Sequence, residues 1–158
     1  MANNTSKKGS RPKRTGTKQH SDTKQNTIKK GKHFMNAAYL VPAITLFNED
    51  GTLDLISQER LYNNLIENGV DGILVEGSSS EFFAMDMEQR REMARFAIEK
   101  VAHRTKLIIG TSSMVANEIV SFSNYCLDAG ADAVMILPPY YFHFGPEALL
   151  QYYDRLAK

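Results

Sequence analysis

Four short apolar runs alternate with four longer amphipathic segments over residues 36–158. The runs are AAYLVPAITLF (37–47), DGILVEG (71–77), KLIIGTSS (106–113) and AVMILPPYY (133–141). The amphipathic segments cover 54–69, 86–104, 117–130 and 146–158. The runs are continuous rather than alternating in polarity, which is typical of parallel strands buried on both faces. The pattern therefore predicts an α/β fold with a parallel sheet covered by helices.

Residues at the ends of the amphipathic segments predict where each helix begins and ends. Asp54 suits an N-cap, and Gly69 suits the position just after a helix. Asp86 followed by Gln89 predicts a capping box, and Pro146 suits a first helical turn. The first helix is expected to bury one apolar stripe, formed by Ile56, Leu61, Leu65 and Ile66.

The middle of the chain adds three expectations. Segment 85–94 (MDMEQRREMA) is expected to carry a solvated charged face, whereas Cys126 is expected in the core. Segments ENGVDGILV (67–75) and DAGADAVMI (128–136) resemble each other, because in each a Gly ends a helix and an Asp leads into a strand. This internal echo favours a barrel built by repetition over an open doubly wound sheet.

The charge of the chain is unevenly distributed. The overall net charge is only +1, yet residues 1–33 contain ten Lys or Arg and one acid, Asp22, which gives this segment +9. The segment is otherwise built from polar residues and Gly, so it cannot bury enough apolar surface to offset its ordering entropy. Residues 1–35 are therefore predicted to be a disordered basic tail, followed by one domain over 36–158.

Several interpretations of this tail remain open. It could be an arm that binds nucleic acid or another acidic surface, or non-native sequence upstream of a true start at Met35. A targeting peptide is disfavoured, because the tail has neither an apolar core nor an amphipathic pattern. A single cysteine gives no disulfide framework, and no stretch has the length of a membrane span. A cytoplasmic location is expected.

A run of hydroxyl residues follows the second predicted strand. Gly77 is followed by three serines, Ser78, Ser79 and Ser80, and then by Glu81. Ligands of parallel α/β folds bind at the carboxyl ends of strands. Backbone amides and short hydroxyls at such a place can hold an anion. The chain has neither of the common glycine-rich phosphate motifs, which favours a carboxylate over a phosphate. The alternative is a serine-rich turn that only ends the strand.

Four segments together resemble a known enzyme family. They are VPAITLFNEDGTLD (41–54), LIENGVDGILVEGSSSE (65–81), LIIGTSS (107–113) and AGADAVMILPPYY (129–141). In order and spacing they resemble the dihydrodipicolinate synthase / N-acetylneuraminate lyase family of class I pyruvate aldolases. The resemblance implies a (β/α)8 TIM barrel, of which residues 36–158 are about the first four β/α units.

The resemblance also implies roles for particular residues. In this family a lysine forms a Schiff base with pyruvate, and no cofactor is required. The pyruvate carboxylate is held by two adjacent hydroxyl residues that match Ser78 and Ser79. Ser78 would also relay protons with a tyrosine of a neighbouring subunit, which matches Tyr141. The chain departs from the family by having Ser where Thr is usual, and by having Ser80 where Gly is usual. The second change is expected to alter the loop.

The Schiff-base lysine of the family has no match in the chain. Lys100 and Lys106 flank the start of the third predicted strand, and Lys158 falls in the last helix. None follows the carboxyl end of a strand, so the chain resembles the N-terminal half of an enzyme and is expected to be inactive alone. The partners implied are pyruvate, an aldehyde or sugar acid, and other subunits of a homodimer or homotetramer. The alternative is an inactive gene fragment, or a half-barrel that only interacts with other chains.

Other candidate groups give weaker signals. The histidines show no metal-ligand spacing, which disfavours a metal-dependent aldolase; they are His20, His33, His103 and His143. Glu81 is expected to cap or orient the serine loop rather than act as a base.

Overall fold

The computed structural model describes residues 39–157, together with Met1 at the amino terminus. The strands are β1 (Leu40–Pro42), β2 (Gly72–Val75), β3 (Lys106–Gly110) and β4 (Ala133–Met135), and the helices are α1 (Leu55–Glu67), α2 (Met87–Val101), α3 (Ala116–Ala129) and α4 (Pro146–Ala157). Two short 3-10 turns, Ser78–Ser80 and Phe82–Ala84, lie between β2 and α2. The predictions made for residues 1–35 lie outside the described residues.

The four strands form one parallel sheet in the order β1-β2-β3-β4. The register aligns Leu40 with Gly72, Ile73 with Leu107, and Ile109 with Val134. The predicted alternation of parallel strands and helices is therefore confirmed. The first and fourth strands are much shorter than their apolar runs, because each pairs with only one neighbour among the described strands. The rest of each run continues as loop.

The core lies between one face of the sheet and the helices. Strand residues Ile73 and Ile109 are fully buried there, against Tyr62 of α1 and Phe122 of α3. Cys126 is also fully buried, as predicted. The central strands are thus covered by helices on this side, which is what their continuous apolar sequence indicates.

The predicted helix ends agree well with the structure. The Asp54 side chain accepts a hydrogen bond from the Ser57 amide, and both hydrogen bonds of the Asp86–Gln89 capping box are present. Pro146 is the first residue of α4.

The prediction for Ile56 is wrong, because its side chain is 70% exposed. The buried face of α1 instead contains Gln58, whose side-chain amide donates to the Ile44 carbonyl and accepts from the Leu46 amide. A polar side chain therefore takes a core position by bonding the backbone that follows β1.

The outer strands carry exposed apolar groups. Leu40 and Ile44, in and just after β1, are 40% and 51% exposed, and every residue of β4 is half-buried. Exposed aromatic residues also follow β4, from Tyr140 to Phe144. Within residues 39–157, no helix has the length and apolar character needed to cross a membrane.

Candidate active site at the carboxyl end of the sheet

The serine loop (residues 77–80) leaves the carboxyl end of β2 and forms a tight turn. Gly77 has an extended backbone, and the three serines form a single 3-10 turn. The Ser80 amide donates to the Gly77 carbonyl at 3.0 Å, and the Glu81 amide donates to the Ser78 carbonyl at 3.1 Å. The turn therefore has its own internal hydrogen bonds.

Ser78 and Ser79 are the exposed members of this loop. Within residues 39–157, neither their amides nor their hydroxyls donate to another protein group. Two adjacent, exposed residues at the carboxyl end of a parallel strand therefore carry four donors that no described protein group accepts. This is the arrangement that a carboxylate needs, because its two oxygens accept several hydrogen bonds at once.

Ser80 has a different role from its neighbours. Its side chain is buried, and its hydroxyl donates to the Ala43 carbonyl just beyond β1. The Thr45 hydroxyl in turn donates to the Ser80 carbonyl at 2.8 Å. The serine that stands where the family usually has glycine thus fastens the loop to the segment after β1.

Two left-handed residues bracket the serine loop. Glu76 has φ 58° and Glu81 has φ 54°, a region of backbone conformation that costs residues with a side chain about 1–2 kcal/mol. Glu81 ends the 3-10 turn in this conformation, which agrees with the expectation that it shapes the loop.

Glu76 belongs to a buried ion pair beneath the loop. Its Oε2 atom lies 2.8 Å from Nε of Arg90 on α2, and both side chains are almost fully buried. The two remaining guanidinium nitrogens donate to the carbonyls of Gly110 and Ser112, each at 2.8 Å. One side chain therefore connects β2 and β3 at their carboxyl ends.

Aromatic rings surround the Arg90 guanidinium. Its central carbon lies 5.3 Å from the centre of the Phe82 ring and 4.9 Å from that of Phe122. Contacts of this kind stabilise a cation most strongly where water is excluded.

Burial dominates the electrostatics of this pair. Burial raises the pKa of Glu76 to about 7, although the Arg90 charge and hydrogen bond act to lower it. The Oε1 atom of Glu76 is buried and has no hydrogen-bond partner within the described part of the chain. Burial also raises the pKa of the Tyr62 hydroxyl and of the Cys126 thiol, and the Glu76 charge adds to both shifts. The ion pair therefore lies in a poorly solvated interior.

The prediction of a solvated charged face over residues 85–94 is wrong for Arg90, which is 4% exposed. The sequence contained a usable signal. Arg90 precedes the buried residues Met93, Ala97 and Val101 at helical spacing, so it falls on the apolar stripe of α2. An arginine on such a stripe indicates a buried partner, which here is Glu76.

The two tyrosines after β4 have different surroundings. Tyr140 packs edge-on against Phe82, with 6.1 Å between ring centres, and so lies on the loop that follows β2. Tyr141 is 79% exposed and packs edge-on against Phe142. A relay between Ser78 and Tyr141 of a second subunit stays a prediction.

The two described lysines of the domain lie away from the serine loop. Lys106 begins β3, at the amino-terminal end of the strand, with its Nζ atom 3.3 Å from Oδ1 of Asp132. Lys100, near the end of α2, pairs with Glu59 at 3.3 Å. Lys158 lies outside the described residues. In the same part of the chain, no three His, Cys, Asp or Glu side chains form a group able to hold a metal ion.

Comparison with known proteins gives a consistent result. The family model described as "Dihydrodipicolinate synthetase family" matches residues 35–158. The chain is 37% identical over 116 residues to the putative 2-dehydro-3-deoxy-D-gluconate aldolase YagE of Escherichia coli, covering 73% of this chain and 38% of that protein. It is 35% identical to the 4-hydroxy-tetrahydrodipicolinate synthase of Methanothermobacter thermautotrophicus, covering 75% of this chain and 42% of that protein.

Solved structures agree with the sequence comparisons. The crystal structure of Escherichia coli YagE in complex with pyruvate matches with a TM-score of 0.71 at 36% identity, covering 75% of this chain and 40% of that one. N-acetylneuraminate lyase from Mycoplasma synoviae matches with a TM-score of 0.68 at 30% identity, covering 74% and 41%. The chain thus spans about two fifths of the length of these relatives and shares the fold of their barrels. From these matches and the order of its strands, the chain belongs to the dihydrodipicolinate synthetase family of lyases and aldolases.

Proposed function

We propose that this chain provides the pyruvate-binding part of a lyase or synthase that acts through a Schiff base. The observation that carries the proposal is the pair of exposed serines, Ser78 and Ser79, whose amides and hydroxyls donate to no described protein group. The YagE relative has been solved in complex with pyruvate, which supports the choice of ligand.

The second substrate differs among the relatives. Their names point to a sugar-acid aldolase, a 4-hydroxy-tetrahydrodipicolinate synthase and an N-acetylneuraminate lyase. Each of them matches about three quarters of this chain, so the part that they share should bind what their reactions have in common. We propose pyruvate for this role, with an aldehyde or sugar acid as the second reactant.

The chemistry proposed for this chain is binding and proton transfer. Ser79 holds the pyruvate carboxylate, while Ser78 holds it and also passes a proton to or from Tyr141 of a neighbouring subunit. The Schiff base itself requires a lysine, and neither Lys100 nor Lys106 lies near the loop. Assembly as a homodimer or homotetramer and a cytoplasmic location belong to the same proposal.

Replacing Ser79 is expected to weaken pyruvate binding. Ser79→Ala removes a hydrogen bond to a charged carboxylate, so the binding free energy should fall by about 1–3 kcal/mol. Calorimetric titration of a completed barrel with pyruvate measures this loss. Ser121→Ala is a matched control, because the Ser121 hydroxyl bonds only within α3. An equal loss in both variants would contradict the proposed role.

Ser78→Ala should behave differently once the barrel is complete. A residue used in proton transfer affects the transition state more than the ground state, so Ser78→Ala should mostly lower kcat, with a smaller change in the KM for pyruvate. Identical kinetic changes for Ser78→Ala and Ser79→Ala would remove the division of roles.

The 158-residue chain alone should form no Schiff base. Incubation with pyruvate and borohydride, followed by intact mass measurement, should give the unmodified mass, because no described lysine lies at the carboxyl end of a strand. A stoichiometric pyruvyl adduct that maps to one residue would contradict this expectation. A complete family enzyme treated in the same way serves as the positive control.

A further inference from the structure

We propose that the buried Glu76–Arg90 ion pair positions the serine loop, so that Ser78 and Ser79 are oriented before any ligand binds. The ligand part of this inference rests on the proposed function; the orientation of the loop does not. Glu76 and Arg90 are positioning residues, because neither is expected to touch the substrate.

The first observation is the backbone of Glu76. It is left-handed immediately before Gly77, at the point where the chain leaves β2 and turns into the 3-10 turn. Glycine would adopt this conformation at little cost, whereas glutamate does so only if its surroundings hold it there. The Glu76 side chain belongs to these surroundings, because Arg90 holds it in place at 2.8 Å.

The second observation is how the Glu76 side chain is held. Arg90 binds the carboxylate with Nε and binds the carbonyl of Gly110 with Nη2. Gly110 is also the residue against which the Glu76 peptide packs, since a Cβ atom at Gly110 would overlap the Glu76 carbonyl oxygen. The same guanidinium thus fixes both sides of a close backbone contact between the ends of β2 and β3.

The third observation is the second attachment of the loop. At its far end, Ser80 is bound to Ala43 and Thr45 beside β1. The segment between Glu76 and Ser80 is consequently held at both ends, and only Ser78 and Ser79 face solvent. A loop fixed in this way loses less conformational entropy when it binds a ligand.

Hydrogen exchange of a completed barrel without any ligand tests the positioning role. The Ser80 and Glu81 amides, which donate within the turn, are the probes. Asn tolerates a left-handed backbone, but its side chain is too short to reach Arg90. Glu76→Asn therefore removes the contact with Arg90 without adding strain to the backbone. We expect it to speed exchange at both amides by about tenfold, because the loop opens locally. Glu76→Gln keeps an acceptor for Arg90 and should have a smaller effect.

Two further variants keep the test decisive. Val101→Ala lowers stability by shortening a buried side chain at the far end of α2 and should leave exchange in the loop unchanged. Arg90→Lys keeps the positive charge but loses the fork that reaches Glu76 and Gly110, so it should loosen the loop even if Glu76→Asn does not fold. Unchanged exchange at Ser80 and Glu81 in the folded Glu76 or Arg90 variants would overturn the inference.

Pyruvate titration of the same completed barrel then separates this inference from the proposed function. If the wild-type barrel does not bind pyruvate while the exchange result holds, the proposed function is wrong and the positioning role stands. If the wild-type barrel binds pyruvate, Glu76→Asn should bind it about tenfold more weakly, because ligand binding must then order the loop. Unchanged affinity in Glu76→Asn would overturn the inference even where the proposed function is correct.

Discussion

Arg90→Met should lower the free energy of unfolding by about 3–5 kcal/mol, the usual cost of removing one partner of a buried ion pair. The substitution leaves the Glu76 carboxylate in a dry interior and removes the donors to the Gly110 and Ser112 carbonyls. Urea denaturation of a completed barrel that contains these residues, followed by circular dichroism at one protein concentration for all variants, measures the change.

Arg91 provides a neighbouring control for this experiment. It lies on the same helix and contacts the rings of Phe122 and Tyr125, but it is half-buried and has no ion pair with Glu76. Arg91→Met should therefore cost much less than Arg90→Met. Adding Glu76→Gln to Arg90→Met should restore part of the stability, because it removes the unpaired charge. Equal losses for the two arginines would show that the ion pair has no special role.

The 158-residue chain should not behave as a well-folded monomer. A barrel removes the edges of its sheet by closing on itself, whereas four strands leave the outer edges of β1 and β4 without a described partner. Long apolar edges promote association between chains. We expect pairing, aggregation or a molten state in sedimentation velocity at micromolar concentration with near-ultraviolet circular dichroism. A monodisperse monomer of 17.8 kDa with sharp cooperative unfolding would contradict this.

Charged substitutions identify the surface through which the chains associate. Leu40→Lys combined with Ile44→Lys places charges where β1 is open to solvent and should reduce association. Ile56→Lys is the matched control, because Ile56 is even more exposed but lies on the outer face of α1. If Ile56→Lys reduces association as much as the double variant, the edge of β1 is not the contact surface.

Much of the fold could be predicted because several local signals agreed. The continuous run ILV before Gly77 indicated a buried parallel strand, and the Asp86–Gln89 pair fixed the start of α2. The family was recognisable because its distinctive segments lie on the loops that follow strands, where sequence and geometry are closely linked. Strand lengths were not predictable, because the pairing of β1 depends on a neighbour and not on its own residues.

The candidate site was predictable only in its exposed part. The serines were recognisable as candidate ligand-binding residues from their residue type, whereas Glu76 and Arg90 beneath them were not. Arg90 was assigned to solvent because its residue type outweighed its place in the helical period, and Glu76 was treated as the end of an apolar run. Charged side chains are rarely buried unless they are paired. The two partners of this pair lie 14 residues apart in sequence, so the sequence alone does not show that they meet.

The order of the strands has a consequence for biosynthesis. Among the described strands, β2, β3 and β4 each pair with the strand immediately before them along the chain, and a helix lies between the two strands in each case. None of these three pairings requires a segment beyond β4, so each described β-α-β unit can form soon after its residues leave the ribosome. The loop that carries Ser78 and Ser79 acquires its supports in the same sequence: the segment after β1 is present first, and β3 with Gly110 arrives last. The serine loop therefore has all of these supports only when the end of β3 has emerged.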